Sequence, residues 1–415
     1  MVNTKRYNFD QAVPLYGSGS IKYDYFKPDT LPMWIADMDF PVADEILAAL
    51  KQRLEHPTFA YNIQPPDLAE VISERMQRLY HWDVSPEQIV FDPGVIIGFN
   101  TALRMNARRG GTFLLPRPAY PPMLHASGGV NQQAKTAPLA MARQGTNLHY
   151  TFDMDALEAA VDPSVHSFMH CNPHNPTGRV FSHEELSELA VFCERHDLLI
   201  ISDEIHCDIV YGDKQHVPIA SLSPEISART VTLMSASKSY NLPALRCSYA
   251  IIQDDALRQR YLNAKQYVVS HTNTLGLVAL RAAYRDADSW LWQVLDYLEG
   301  NRDYLVRFAE AYLPELSMSI PEGTYLAWMD ASQMMDDAAP LTAADFPNDV
   351  AEDVLQWMPD AINAYFLKQT GVALNNGDAF EAPGFVRMNF ALPRSQLKSA
   401  LQRMVDARSA AGTVS

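Results

Sequence analysis

The feature that most constrains this chain is a series of short strands that are apolar on both faces and separated by helical stretches. Gln88–Phe91, Thr112–Leu115, Ser167–His170, Leu198–Ile201 and Val231–Met234 are the candidate strands. A strand without a polar face is covered by helices on both sides, which is the pattern of a parallel sheet built from crossover units. One crossover helix can be read closely. Ser182 and Glu185 form a capping box, in which each side chain satisfies an orphan backbone N–H. Leu186, Leu189, Ala190 and Cys193 then recur at helical spacing and make one buried stripe. The helix stops near His196-Asp197 and hands over to the strand Leu198–Ile201.

With 415 residues the chain is expected to divide into two or three units. From about Leu275 to Leu313 the pattern is almost wholly helical. After it, Tyr325–Asp330 and Phe385–Phe390 read as strands of a second, smaller α/β unit. Asp336–Asp360, rich in Asp, Ala and Pro, reads as a solvated acidic insertion with a short helix at Val350–Trp357; a lid or partner surface is the alternative.

Charge narrows the functional classes. Thirty-three basic against 49 acidic residues leave a net −16, which disfavours binding to nucleic acid or to an anionic membrane. Met1–Arg6 is polar with no apolar segment behind it, so no signal peptide is expected. No stretch approaches the ~20 apolar residues that span a bilayer. Cys171, Cys193, Cys207 and Cys247 are scattered, as reduced thiols of a cytoplasmic protein would be. Gly17-Ser18-Gly19 is not followed by a helix, which removes the dinucleotide and P-loop readings. No clustered Cys/His pattern supports a metal.

The residues just beyond each strand carry the chemistry, because ligands of open parallel sheets bind beyond the carboxyl ends of the strands. Phe91 leads to Asp92-Pro93-Gly94, and Leu115 to Pro116-Arg117-Pro118-Ala119-Tyr120. His170 leads to Cys171-Asn172-Pro173-His174-Asn175-Pro176-Thr177-Gly178. Ile201 leads to Ser202-Asp203-Glu204-Ile205-His206, and Met234 to Ser235-Ala236-Ser237-Lys238. A glycine turn, an aromatic, an amide, a carboxylate and a lysine thus gather on one edge. A pyridoxal phosphate site needs these parts: an amine for a Schiff base, a carboxylate for the pyridinium N–H, an aromatic face, and a helix N-terminus for the phosphate.

The Ser235–Lys238, Asn175–Gly178 and Ser202–His206 motifs resemble fold-type I enzymes of the class I/II aminotransferase superfamily. Leu31–Phe40, Ala119–Pro122, Glu299–Tyr304 and Gly384–Asn389 resemble in particular the MalY/PatB branch of cystathionine β-lyases. The resemblance runs from about Tyr7 to Val405. It implies an α/β fold with a large, mostly parallel seven-stranded sheet domain over 41–285. A smaller α/β domain would combine 1–40 with 286–415. It implies pyridoxal 5′-phosphate as cofactor, with Lys238 as Schiff-base lysine and general base and Asp203 as the pyridinium partner. Asn175 is then the donor to the ring's 3′-oxygen and Tyr120 the stacking aromatic. Gly94, Val95 and Ile96 would offer backbone N–H groups to the phosphate, with Ser235 and Ser237 adding hydroxyls. Tyr61 would reach the phosphate site of a neighbouring subunit in a homodimer, and Arg387 would clamp the α-carboxylate of a small amino-acid substrate. His206 reads equally as a group near the 3′-oxygen and as a satisfied core histidine.

Three departures bear on the reaction. Arg246 stands where aminotransferases pair the phosphate and lyases of this branch often lack Arg. The loop Gly377–Pro383 is shorter than the family's run before the carboxylate Arg, and the acidic insertion is extra. The expected reaction is β-elimination from cystathionine or another cysteine S-conjugate, with transamination as the alternative. A regulatory interaction role, attributed to some relatives in this branch, is the non-enzymatic alternative.

Overall fold

The computed structural model describes residues 6–107, 111–126, 129, 131–334, 341–347 and 361–411. The short helix expected at Val350–Trp357, with most of the acidic insertion, lies outside the described residues.

Among the described residues thirteen strands make the two principal sheets: β1 (Ile89–Asp92), β2 (Thr112–Arg117), β3 (Gln133–Pro138), β4 (Ala140–Gln144), β5 (Asn147–Thr151), β6 (Val165–Cys171), β7 (Leu199–Asp203), β8 (Thr230–Met234), β9 (Ser248–Ile251), β10 (Ser317–Ser319), β11 (Leu326–Asp330), β12 (Asn375–Asn376) and β13 (Phe385–Asn389). The larger sheet has seven strands in the order β1-β9-β8-β7-β6-β2-β3. Its pairs are parallel except those of β9, which runs antiparallel to both neighbours. Side chains alternate between two cores. Phe113, Leu115, Met169 and Ile201 pack on one face, while Leu114, Phe168 and Ile200 pack on the other. That two-sided burial is why the strands read as apolar runs. Sequence pattern does not reveal β3 or β9: β3 is a half-exposed edge of Gln, Lys and Thr, and β9 is short and opens on Ser248.

The crossover helix is α2 (His183–Arg195), after α1 (Val95–Met105), and the Ser182/Glu185 capping box is formed on it. Long helices follow the sheet: α3 (Thr274–Asp286) and α4 (Asp288–Tyr312).

The second sheet has six strands in the order β12-β13-β11-β10-β5-β4. Its β4–β5 hairpin comes from inside 41–285, yet β5 pairs with β10 through Asn147↔Met318 and Leu148↔Ser319. The hairpin turns at Gly145, whose φ of 61° suits a residue without a side chain.

A strap from Trp34 to Phe40 runs between the sheets. It enters where Leu31 and Pro32 pair in parallel with Val372 and Ala373. Lys22, only 2 % exposed, anchors it with Nζ 2.8 Å from Asp39 and 3.3 Å from Asp37. The Tyr23 hydroxyl donates to the other oxygen of Asp39 at 2.6 Å. Removing one member of such a buried set leaves charge uncompensated. Lys22→Met is expected to destabilise the fold by about 3–5 kcal/mol in urea unfolding; a loss below about 1 kcal/mol, the scale of an exposed pair, would contradict this account of the anchor.

Candidate active site

Strand ends of the large sheet and one strand of the second sheet deliver the charged groups to a common space. β7 ends on Asp203, which is 4 % exposed. Its Oδ1 accepts the Ile205 N–H at 3.1 Å, and among the described residues Oδ2 has no donor. Burial pushes this carboxyl up to about 7; the Ile205 N–H and nearby Lys238 pull the other way.

Lys238 follows β8 on the single turn Ala236–Ser239. Ser235 opens that turn: its Oγ accepts the Ser237 N–H at 3.0 Å and donates to the Cys247 carbonyl at 2.7 Å. Lys238 is half-buried, and its Nζ donates to the Ala36 carbonyl of the strap at 2.6 Å. Desolvation brings the amine down to about 8, with Asp37 and Asp203 holding it up and Arg387 pressing it lower.

Arg387 occupies the middle of β13 at 3 % exposure. Its Nη1 donates to Asn175 Oδ1 and its Nη2 to the Trp34 carbonyl, each at 2.9 Å. The guanidinium lies 4.9 Å from the Phe380 ring centroid, and Nε is buried without a partner. Among the described residues no carboxylate pairs with it. Burial lowers it to about 10. A guanidinium buried among neutral oxygens leaves an anion's place open.

Asn175, with Oδ1 taken by Arg387, keeps its Nδ2 to donate elsewhere. Tyr120 is half-buried at the start of the turn Pro121–Leu124 and lines a small space with Met123, Met169, Cys171 and Asn175. Burial raises its phenol, with Arg387 opposing and Asp203 adding. His206 is 2 % exposed, its ring edge-on to Tyr325 at 5.9 Å, and its Nδ1 is buried without a partner. Desolvation drives its pKa far down, and Lys238 and Arg387 push the same way, so the ring is neutral.

β1 leads into the N-terminus of α1, where Gly94 has φ 129° and a Cβ would meet nothing within 4 Å. Val95 and Ile96 follow as the first helical residues, whose N–H groups have no partner inside a helix. Arg246 is exposed. It closes the turn Pro243–Leu245 with a left-handed φ of 45°, two residues before β9 begins. Ser237 is half-buried one turn residue before Lys238. Tyr61 alone stays apart: it is fully exposed and, among the described residues, shares no hydrogen bond or ring contact with this group.

Four members of the site escape sequence reasoning. Tyr325 donates its hydroxyl to Ala36 O at 3.1 Å. Asn389 donates to both Ile35 O and Asp37 O. Ala36 and Asp37 belong to a segment that reads as a motif, but a carbonyl that acts through its backbone leaves no residue-type signature.

The model of the family "Aminotransferase class I and II" matches residues 29–404. The chain therefore belongs to that family of fold-type I enzymes. Within it the chain falls in the MalY/PatB branch: it is 31 % identical to the cystathionine β-lyase PatB of Bacillus subtilis, over 96 % of this chain and 98 % of the relative. Among solved structures it is similar to OvoB, with 37 % identity, a TM-score of 0.86 and coverage of 97 % and 99 %. It is likewise similar to the pyridoxal-phosphate-bound C–S lyase of Staphylococcus hominis, with 30 % identity, a TM-score of 0.84 and coverage of 97 % and 98 %.

The residues fit pyridoxal phosphate. A buried carboxyl has one oxygen without a donor, an amide has its NH2 free, and a lysine amine is drawn toward neutrality. Beside them open space surrounds a glycine at a helix N-terminus.

A pH dependence arises from Asp203 in cofactor-free protein. The folded state keeps the proton to about 7, whereas an unfolded aspartate releases it near ~3.9. Between those values the folded state binds more protons, so stability falls as pH rises. Asp203→Asn is expected to remove a slope of up to about 1.4 kcal/mol per pH unit in urea titrations across this window. An unchanged slope would contradict the assignment.

Proposed function

We propose that this chain is a pyridoxal-phosphate-dependent carbon–sulfur β-lyase that splits cystathionine or a related cysteine S-conjugate into pyruvate, ammonia and a thiol. The observation that carries the reading is Arg387, buried with no carboxylate partner among the described residues, bonded to Asn175 and near Lys238, which Asp203 also faces.

Bound pyridoxal phosphate would supply an electron sink for the pair left on the substrate's Cα when its proton is removed. Arg387 binds the α-carboxylate through its guanidinium fork and gives up its bonds to neutral oxygens for charge-assisted ones. Asn175 Nδ2 would donate to the ring oxygen, Tyr120 would cover the ring face, and Asp203 Oδ2 would hold a proton at the ring nitrogen. The N–H groups of Val95 and Ile96 would take the phosphate with Ser237 near them, whereas the Gly94 N–H, expected to join them, donates to Ser248 Oγ at 3.2 Å and the Ser235 hydroxyl is used on the Cys247 carbonyl. Lys238, drawn down to about 8, is partly free base near neutral pH and removes the Cα proton. Ala36 O and Tyr325 OH keep the amine on that side of the site.

We place the substrate between a large unit, 41–285, and a small unit of 1–40 with 286–415, with the 140–151 hairpin lending its strands to the small unit's sheet. Phe59, Tyr61, Ile63, Tyr267 and Val268 are exposed large apolar residues. A surface of that kind supports a homodimer in which Tyr61 enters the partner's phosphate site. Four buried free cysteines fit a cytoplasmic setting, and among the described residues no helix is long and apolar enough to cross a membrane.

Transamination is the second reading, favoured by the position of Arg246, eight residues after Lys238. Incubation with cystathionine and no keto acid separates the two. Continuous release of pyruvate, ammonia and thiol in equal amounts over many turnovers is expected; one turnover that stalls until a keto acid is added would overturn the lyase reading. Arg387→Ala should lower kcat/KM for cystathionine by about 10²-fold, as for loss of a charge-assisted bond worth ~2–3 kcal/mol. A value unchanged from wild type would remove Arg387 from the substrate site. Sedimentation under assay conditions should give a dimer, and an active monomer would remove Tyr61 from it.

A further inference from the structure

Outside the groups already used, the most developed constellation is the strap and what grips it. Ala36 O receives Lys238 Nζ at 2.6 Å and Tyr325 OH at 3.1 Å. The two carbonyls on either side of it, Ile35 O and Asp37 O, both accept from Asn389 Nδ2, each at 2.6 Å. Asn389 is 1 % exposed, and its Oδ1 accepts the Ala391 N–H at 2.7 Å. Its own backbone N–H donates to Met33 O at 2.8 Å, which ties the strap to β13. One amide therefore holds the Ile35–Ala36 and Asp37–Met38 peptides, which flank the Ala36–Asp37 peptide, and so helps set the aim of the Ala36 carbonyl. Asn389 also lies two residues beyond Arg387 on β13, on the same face of the strand. The lysine's acceptor and the carboxylate clamp are thus referenced to one rigid strand.

We propose that Asn389 is a positioning residue for Lys238, acting through the Ile35–Asp37 strap to hold Ala36 O where it receives the lysine amine. The inference rests on Lys238 as the reactive lysine. Physically, Lys238 must keep its amine in place when it is not bonded to the cofactor, and a buried carbonyl does so only if its own peptide is fixed. Replacing the amide with a group that cannot donate leaves the half-buried Ile35 carbonyl without its donor and Asp37 O with only Lys22 Nζ at 3.3 Å, and lets Ala36 O turn away. A carbonyl acceptor favours the ammonium over the free amine, so its loss lowers the lysine's pKa. The other groups facing Nζ are Asp37 from the strap, Asp203 from β7 and Arg387 from β13, with His206 and Tyr325 beside them; none is removed by the substitution.

The test uses cofactor-free and cofactor-loaded full-length protein. In the cofactor-free form, the pH midpoint for modification of Lys238 by an amine-reactive acylating reagent is read by peptide mass. Asn389→Ala and Asn389→Leu, the second of similar size and, like the first, without charge, are compared with wild type and with Asn241→Ala. Asn241 grips the strap further along, at Met38 and Phe40. The Asn389 variants are expected to move the Lys238 midpoint down and to lower kcat by about tenfold or more, part of the 10²–10⁴ that a positioned proton-transfer group contributes. Asn241→Ala should leave the midpoint in place even where it lowers thermal stability. An unchanged midpoint in both Asn389 variants, with activity falling only as the folded fraction falls, would overturn the proposal. So would an equal shift in Asn241→Ala, which would assign the effect to strap packing as a whole. Failure of acylation at Lys238 in wild type, with another lysine reacting instead, would indict the lysine assignment and not Asn389.

Discussion

Arg387 is a guanidinium enclosed in mid-strand, held by an amide oxygen and a peptide oxygen where a carboxylate would ordinarily stand. An ion removed from water in this way is costly unless something compensates it, and the neighbourhood is arranged around that demand. The strap comes close because Trp34 O accepts from Nη2, Asn175 is turned because its Oδ1 accepts from Nη1, and Phe380 offers its ring face. Each of these contacts is weaker than the charge-assisted pair an incoming carboxylate can make. The guanidinium is therefore left with neutral partners where a carboxylate would bind it more strongly.

The same low-polarity surroundings bring an acid and a base toward a common range. Asp203 is raised to about 7 and Lys238 lowered to about 8, both chiefly by burial. Groups whose ordinary values lie far apart are thus poised near neutral pH, the condition in which proton transfer at a substrate carbon is efficient. The carboxylate felt most strongly by Lys238 is Asp37 on the strap, ahead of Asp203. The strap contributes electrostatics as well as a carbonyl, and Lys22 keeps its two aspartates from acting as free negative charge.

Much of this is legible in the sequence because strand ends announce themselves. A doubly covered strand must be apolar, so the first polar residues after it mark the sheet edge where ligands bind, and Asp203, Lys238, Asn175 and Tyr120 all stand there. Arg387 gives the opposite signal, a charge inside an apolar strand. Geometry carried by backbone stays hidden. Ala36 acts through its carbonyl and Asn389 through other residues' carbonyls, and neither has a side-chain pattern that distinguishes it from ordinary packing. The β4–β5 hairpin is hidden for a different reason: its pairing with β10 joins residues far apart in the chain, and no local period reports such a partner. Tyr61 is fully exposed in the single chain, so the role proposed for it can be seen only in an assembly.

The proposed chemistry depends on one amine, that of Lys238, held by Ala36 O in surroundings that draw it toward neutrality. Borohydride reduction of the protein reconstituted with pyridoxal phosphate, followed by peptide mapping, tests this most directly. The expected result is a single reduced adduct on the peptide containing Lys238, absent in Lys238→Ala while that variant keeps its fold. An adduct on Lys22 or Lys265 instead, or full labelling in Lys238→Ala, would contradict it.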